Sequence, residues 1–202
     1  MPPATSHSHM ADQTKPHGLL LVISGPSGVG KTTITHHVER ALQGVFSVSV
    51  TTRPKAHADL EGHDYFFIDR EEFERSRDAG DLLEWAKVFG HYYGTPRDFV
   101  QRKLDDGRLV ILEIDVKGAI QVKKNMPDAV AVFVLPPGEE ELLRRLHDRA
   151  REPEDVIQRR FAKATDEIAK ALACGAYDHF VTNDDLNKAL EEAVGIVRAR
   201  MG

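Results

Sequence analysis

One short stretch limits the possible folds more than any other: GPSGVGKTT, Gly25 to Thr33. Three of its first six residues are glycine, and a glycine inside a regular element costs about 0.5–1 kcal/mol relative to alanine. Just before it, LLLVIS (Leu19 to Ser24) is a short apolar run that reads as a buried strand. Just after it, KTTITHHVERALQ carries apolar residues at Ile34, Val38, Ala41 and Leu42, which is helical spacing. The glycines therefore predict a strand-to-helix loop, and Lys31 opens the helix. G-x-x-x-x-G-K-[ST] is met at Gly25, Gly30, Lys31 and Thr32. In this setting it predicts a phosphate cradle made by Gly25, Pro26, Ser27, Gly28, Val29, Gly30, Lys31, Thr32 and Thr33. Backbone N–H groups converge on oxygens, the helix N-terminus adds partial positive charge, Lys31 reaches the terminal phosphates and the Thr32 hydroxyl can meet Mg²⁺. An ordinary glycine-rich turn is the plainer alternative. The four fixed positions match by chance in about 1% of chains of this length, and the flanking strand and helix lower that further.

The rest of the chain keeps the alternation. VFSVSVTTR reads as one strand, with a second around Tyr65–Ile68. REEFERSRDAG reads as a short helix, and LLEWAKVFGHYYGT as paired strands with Trp85 in their core. Residues 49–95 therefore look like an antiparallel insertion. RLVILEID and AVAVFVL are buried strands, a helix between them runs through Lys124, and helical patterns extend from Glu139 to about Cys174. HFVTN is a last short strand, and Asp184 is placed to cap a C-terminal helix. Buried strands alternating with helices predict an α/β fold around a parallel sheet. Residues 1–17, with three prolines and three histidines, read as a disordered tail.

Two clusters carry further chemistry. VILEIDVKG ends a buried strand with Glu113 and Asp115, and open α/β sheets bind ligands at the carboxyl ends of their strands. One carboxylate can hold Mg²⁺, usually through water, while the other serves elsewhere; strand-end solvation is the alternative. Arg144, Arg145, Arg149, Arg151, Arg159 and Arg160 crowd one segment. Arg145 and Arg149 share a helix face, and Pro153 starts a new helix before Arg160. Such a helix pair could close over a transferring phosphoryl group, or be only a solvated face.

The 202 residues suit one domain or one core with an insertion, and a net charge of −5 argues against a nucleic-acid surface over the whole molecule. No apolar run approaches the roughly 18 residues of a membrane span. No basic-then-apolar leader is visible, and the lone Cys174 fits a reducing cytoplasm.

These motifs, together with DYFF, EWAKVFGHYYGT, LPP, RRLHDR and VTNDDL, resemble the guanylate kinase family over nearly everything from Gly18 onward. The resemblance implies a P-loop nucleoside monophosphate kinase fold: a parallel core flanked by helices, an inserted mixed or antiparallel GMP-binding domain and a helical lid. The corresponding ranges are core 18–48, insertion 49–95, core 96–138, lid 139–165 and core 166–202. It implies Mg²⁺-dependent transfer from ATP to GMP or dGMP in purine metabolism, by a monomer or homodimer that needs neither nucleic acid nor membrane. Ser49, Arg53, Tyr65 and Tyr93 match groups on the GMP phosphate; Glu84, Thr95 and Asp115 match groups that read guanine. Thr32 and Glu113 match the metal site, although the family usually has aspartate at the latter. Lys31, Arg145, Arg149 and Arg160 match the groups on the transferring phosphoryl, and Asn183 lies beside adenine.

The chain departs from the family after TTR. RPKAHADLEG has Ala56 where a second phosphate arginine normally sits and Asp59 where a glutamate sits. In an extended segment Lys55 points away from Ala56's side and should not replace it. Two rivals remain at this level: a non-catalytic peptide-binding module on the same fold, against which Lys31 and the arginines count, and a P-loop kinase with another acceptor, against which Glu84 and Asp115 count.

Overall fold

A computed structural model describes residues 18–88, 90–149 and 153–202, without the side chain of Arg149; the predicted tail lies outside the described residues. In chain order the elements are β1 (Leu19–Ser24), α1 (Lys31–Leu42), β2 (Val45–Phe46), β3 (Val50–Thr51), β4 (Phe66–Phe67), α2 (Arg70–Ala79), β5 (Leu82–Val88) and β6 (His91–Pro96). They continue with α3 (Arg97–Asp105), β7 (Leu109–Glu113), α4 (Val116–Asn125), β8 (Val130–Leu135), α5 (Glu139–Arg149), α6 (Glu154–Ala173), β9 (His179–Thr182) and α7 (Leu186–Met201).

The strand before the glycine loop is the centre of a parallel sheet ordered β2–β7–β1–β8–β9. Its residues are apolar on both faces because both faces are covered. Leu21 and Ile23 join Ile111, Val132 and Val181 beneath Ile34 and Val38 of α1 and Val194 and Val197 of α7. Leu20 and Val22 join Val110, Leu112 and Ala131 beneath Val100 and Leu104 of α3 and Ala119 and Val122 of α4. Each fully buried aliphatic side chain here contributes about 1.5–3 kcal/mol. The register Ile23↔Glu113, Ser24↔Phe133 and Leu135↔Thr182 brings the strand ends level. The glycine loop, Glu113 and Asn183 therefore emerge on one edge.

A second sheet, ordered β4–β3–β6–β5, is mixed. β3 pairs parallel with β4, while β3–β6 and β5–β6 are antiparallel. The single strand expected in VFSVSVTTR is two: Val45–Phe46 pairs with β7 of the core and Val50–Thr51 with the second sheet. The chain changes sheets at Ser47–Ser49, so its continuous β-forming composition serves two edges. The β5 edge is covered by α4. Gln121 accepts from Trp85 N (3.2 Å) and donates to Trp85 O (2.8 Å), and Asn125 donates to Leu83 O (2.8 Å). These amides satisfy main-chain groups that an edge strand otherwise leaves open.

Three further readings change. α3 was not expected, although Pro96 followed by Val100 and Leu104 four apart is a helical signal. The cap of α7 is Asp185, whose carboxylate accepts from Lys188 N at 3.1 Å; Asp184 instead accepts from Asp185 N. Trp85 is 36% exposed, lying between Tyr92 and the guanidinium of Arg77 rather than in a core.

Candidate active site

The glycine loop is built from backbone that other residues resist. Gly28 and Gly30 have φ of 86° and 97°, which side chains with a Cβ rarely adopt. Space closes the matter at Gly30, where a Cβ would lie 2.6 Å from Asn183 Nδ2. Lys31 Nζ donates to the carbonyls of Gly25 (2.6 Å) and Pro26 (2.9 Å), which hold the ammonium at the mouth of the loop. Val29 is buried and anchors the loop in the core. Thr33 lies exposed on the first turn of α1.

Thr32 Oγ1 donates to Glu113 Oε1 at 3.0 Å. A hydroxyl and a carboxylate beside the glycine loop are hard oxygens of the kind Mg²⁺ takes. Among the described residues no three acidic, histidine or cysteine side chains group as a metal cage.

The second sheet and its loop bring Arg53, Tyr65 and Tyr93 together. Arg53 lies 5.4 Å from the Tyr65 ring centroid and 5.5 Å from that of Phe67, and the Tyr65 and Tyr93 rings are 5.6 Å apart, edge to face. Burial raises the Tyr65 hydroxyl, keeping it a neutral donor. Ser49 sits where the chain enters the sheet and its carbonyl accepts from Phe66 N at 2.9 Å. Asp59 pairs with Arg53 at 2.9 Å and accepts from Ala56 N at 2.6 Å, folding 56–59 into a turn. Lys55 Nζ is 5.9 Å from the Phe67 centroid, on the ring Arg53 also covers. Arg53 and Lys55 are two residues apart and lie on the same side of an extended segment, so their sharing one ring agrees with Lys55 pointing away from the side of Ala56.

Glu84 and Thr95 face one another across β5 and β6, and the Thr95 hydroxyl donates to Glu84 Oε1 at 2.7 Å. The register slips between Leu82 and Glu84, and such irregularities re-aim side chains beside sites. Leu83 enters the core while Glu84 turns to the start of α4. Glu84 is 4% exposed. Burial pushes its carboxyl from the ordinary 4.5 up to about 7; the Thr95 hydrogen bond opposes this and Asp115 adds to it. Asp115 caps α4, its Oδ1 accepting from Gly118 N at 2.8 Å. The two carboxylates, 31 residues apart in the chain, thus meet at one helix N-terminus.

The α5–α6 pair packs through Leu142, Leu146, Ile157 and Ala164. Arg160 Nη2 donates to Ser27 Oγ at 2.6 Å, placing α6 on the glycine loop. Arg145 donates to Glu141 (2.7 Å) and to the Asn183 carbonyl (3.0 Å). The Arg149 side chain lies outside the described residues. Asn183 is buried and its amide donates to Val29 O at 2.8 Å. It ties the glycine loop to the end of β9, a role its sequence position did not signal. A cleft of about 390 Å³ opens between β5, α4 and α6, lined by Lys87, Asp115, Lys117, Lys163 and Glu167. Sequence reasoning passed over Lys163, Glu167, Gly118, Gln121 and Asn125. Only the recurrence of Gly118, Gln121 and Asn125 on one helical face offered a signal.

The family model for guanylate kinase matches residues 17–200. A guanylate kinase of Symbiobacterium thermophilum is 47% identical over 92% of this chain and 87% of its own length. One from Myxococcus xanthus is 43% identical over 94% and 90% respectively. The crystal structure of guanylate kinase from Anaplasma phagocytophilum superposes with a TM-score of 0.72 at 36% identity, covering 93% of this chain and 88% of that one.

Proposed function

The chain belongs to the guanylate kinase family and phosphorylates GMP to GDP with ATP, and from that premise we propose how its residues divide the reaction. Residues 25–33 cradle the ATP phosphates, with Lys31 on the terminal ones, and Asn183 lies beside the adenine while it braces the loop. Mg²⁺ would be held by Thr32 and Glu113, and when bound it neutralises charge on the phosphates. Arg53, Ser49, Tyr65 and Tyr93 hold the GMP phosphate. Glu84, Thr95 and Asp115 read the guanine edge. Arg145, Arg149 and Arg160 close on the transferring group as 139–165 moves as a lid against cores 18–48, 96–138 and 166–202 and the GMP domain 49–95. No general base is required, because the nucleophile is a GMP phosphate oxygen that is already ionised. Transfer then rests on in-line placement and charge neutralisation.

The observation that carries the acceptor reading is the buried Glu84–Thr95 pair facing Asp115 at the N-terminus of α4. Guanine presents N1–H and an amino group side by side, and a carboxylate accepts both. Adenine presents an acceptor there and leaves the buried acid unpaired. An ADP-release assay with MgATP should show GMP and dGMP turning over within the same order. AMP and UMP should fall lower by about 10⁴ in kcat/KM. Comparable turnover of AMP would end this reading. Among the described residues no helix is long and apolar enough to cross a membrane. We place the enzyme in the cytoplasm as a monomer or homodimer serving purine nucleotide metabolism.

Ala56 supplies a second test. A guanidinium there would add a charge-assisted contact to the GMP phosphate, worth about 1.5–3 kcal/mol. Ala56 is exposed at the turn that Asp59 closes, so a long side chain fits. Ala56→Arg should lower the GMP KM by about 10-fold or more, and Lys55→Ala should leave it within twofold. A large rise for Lys55→Ala without gain from Ala56→Arg would show that Lys55 already serves the phosphate.

A further inference from the structure

Gly118 lies in the first turn of α4, where alanine is the better helix former, and it has no left-handed φ to justify it. What justifies it is space. A Cβ built on Gly118 would lie 2.6 Å from Glu84 Oε2, 3.1 Å from Glu84 Cδ and 3.3 Å from Ile114 Cδ1. Its N–H meanwhile holds Asp115 Oδ1 at 2.8 Å. The same face of α4 grips the main chain on either side of Glu84, through Gln121 on Trp85 and Asn125 on Leu83. Strand and helix are thus locked at a fixed spacing, and Thr95 fixes the other carboxylate oxygen at 2.7 Å.

We infer that Gly118 is a positioning residue for acceptor selection: its bare Cα is the floor on which the Glu84 carboxylate rests, and its N–H orients Asp115. The inference rests on the reading that Glu84 meets guanine. An added methyl cannot move the strand, which the two amides hold, so the carboxylate must turn away. The displaced atoms are the far end of a side chain rather than backbone, so the fold should tolerate what the site does not.

A double-mutant cycle on the full-length enzyme tests this. Gly118→Ala should raise the GMP KM by about 10-fold or more and narrow the kcat/KM ratio of GMP over IMP, which lacks the amino group. The ATP KM should stay within twofold, and the melting temperature should not fall. Glu84→Asp withdraws the carboxylate, so adding Gly118→Ala to that background should change the GMP KM less than twofold. Gly195→Ala, in α7 with nothing within 4 Å of an added Cβ, should leave the ratio as in wild type. Equal cost of Gly118→Ala in both backgrounds, or an unchanged GMP KM, overturns the inference. If Gly118→Ala alone does not fold, folding of the double variant supports the steric contact with Glu84 and its failure overturns it. A Glu84→Gln variant with the wild-type GMP over IMP ratio would instead remove the guanine reading. A silent Gly118→Ala beside an effective Glu84→Gln removes only the role of Gly118.

Discussion

Lys31→Ala should yield a folded protein whose kcat is lower by about 10²–10³. The ammonium stands on the first turn of α1, tethered by the carbonyls of Gly25 and Pro26. In the proposed division of roles its charge meets the phosphate oxygens that gain charge as the γ-phosphoryl leaves ATP, and a fixed cation there needs no reorganisation. Removing it should lower kcat more than it raises the ATP KM, because the interaction strengthens in the transition state. The fold should survive. Ile34, Thr35 and Val38 hold α1 through buried contacts that do not involve Lys31, and alanine is a good helix former. The hydrogen bonds to the Gly25 and Pro26 carbonyls are lost, each worth about 1 kcal/mol, so the melting temperature should fall by roughly 4–8 °C. Steady-state kinetics with a thermal melt decide it, and a kcat within twofold of wild type would mean that the loop lysine is structural.

Glu84→Gln should weaken activity and strengthen the fold, in a pH-dependent way. The amide keeps one acceptor for Thr95 but turns a donor towards the donors of guanine. The GMP over IMP ratio of kcat/KM should fall by about 10-fold or more; a wild-type ratio would show that Glu84 does not read that edge. The stability effect follows from burial. Glu84 has a folded pKa of about 7 against an ordinary 4.5, so between those values the native state binds more protons than the unfolded chain. Wild-type stability therefore falls as pH rises through that window. Above it the buried ion costs on the order of 3 kcal/mol, a charge glutamine does not carry. Denaturant melts should find the variant more stable than wild type at pH 8, with the gap closing towards pH 4. A gap that is constant with pH would place the raised pKa elsewhere. By the same protonation, the wild-type GMP KM should rise as pH drops below about 7, beyond any rise shared by Glu84→Gln.

Part of this site was legible because its determinants are close together in the chain. The glycine loop lies between its own strand and its own helix within 24 residues, Leu19 to Leu42. Motif spacing therefore located Lys31 and Thr32 without tertiary information. β1, β7 and β8 were legible as buried strands because coverage on both faces writes an unbroken apolar run. The alternation of such strands with helices already required a parallel core. Asp115 and Glu113 were readable as strand-end carboxylates for the same reason.

Other features had no local signature. VFSVSVTTR is uniformly β-forming, and its division between two sheets depends on edges offered by β7 and β6, remote in sequence. Asp184 and Asp185 are equivalent as letters, and only the entry angle of the chain chose Asp185 as the cap. Asn183 became a brace for the glycine loop because β9 ends level with β1 across the sheet, a matter of register. Gly118 is the sharpest case. In sequence it is a weak helix former in a helix; in the folded molecule it is the point on α4 against which a carboxylate from β5 lies. The chain by itself determined the glycine loop, the parallel core and the residue types offered to the proposed guanine site. The tertiary structure decided which of those residues meet, because packing between segments 30 to 150 residues apart sets distances that no local preference encodes.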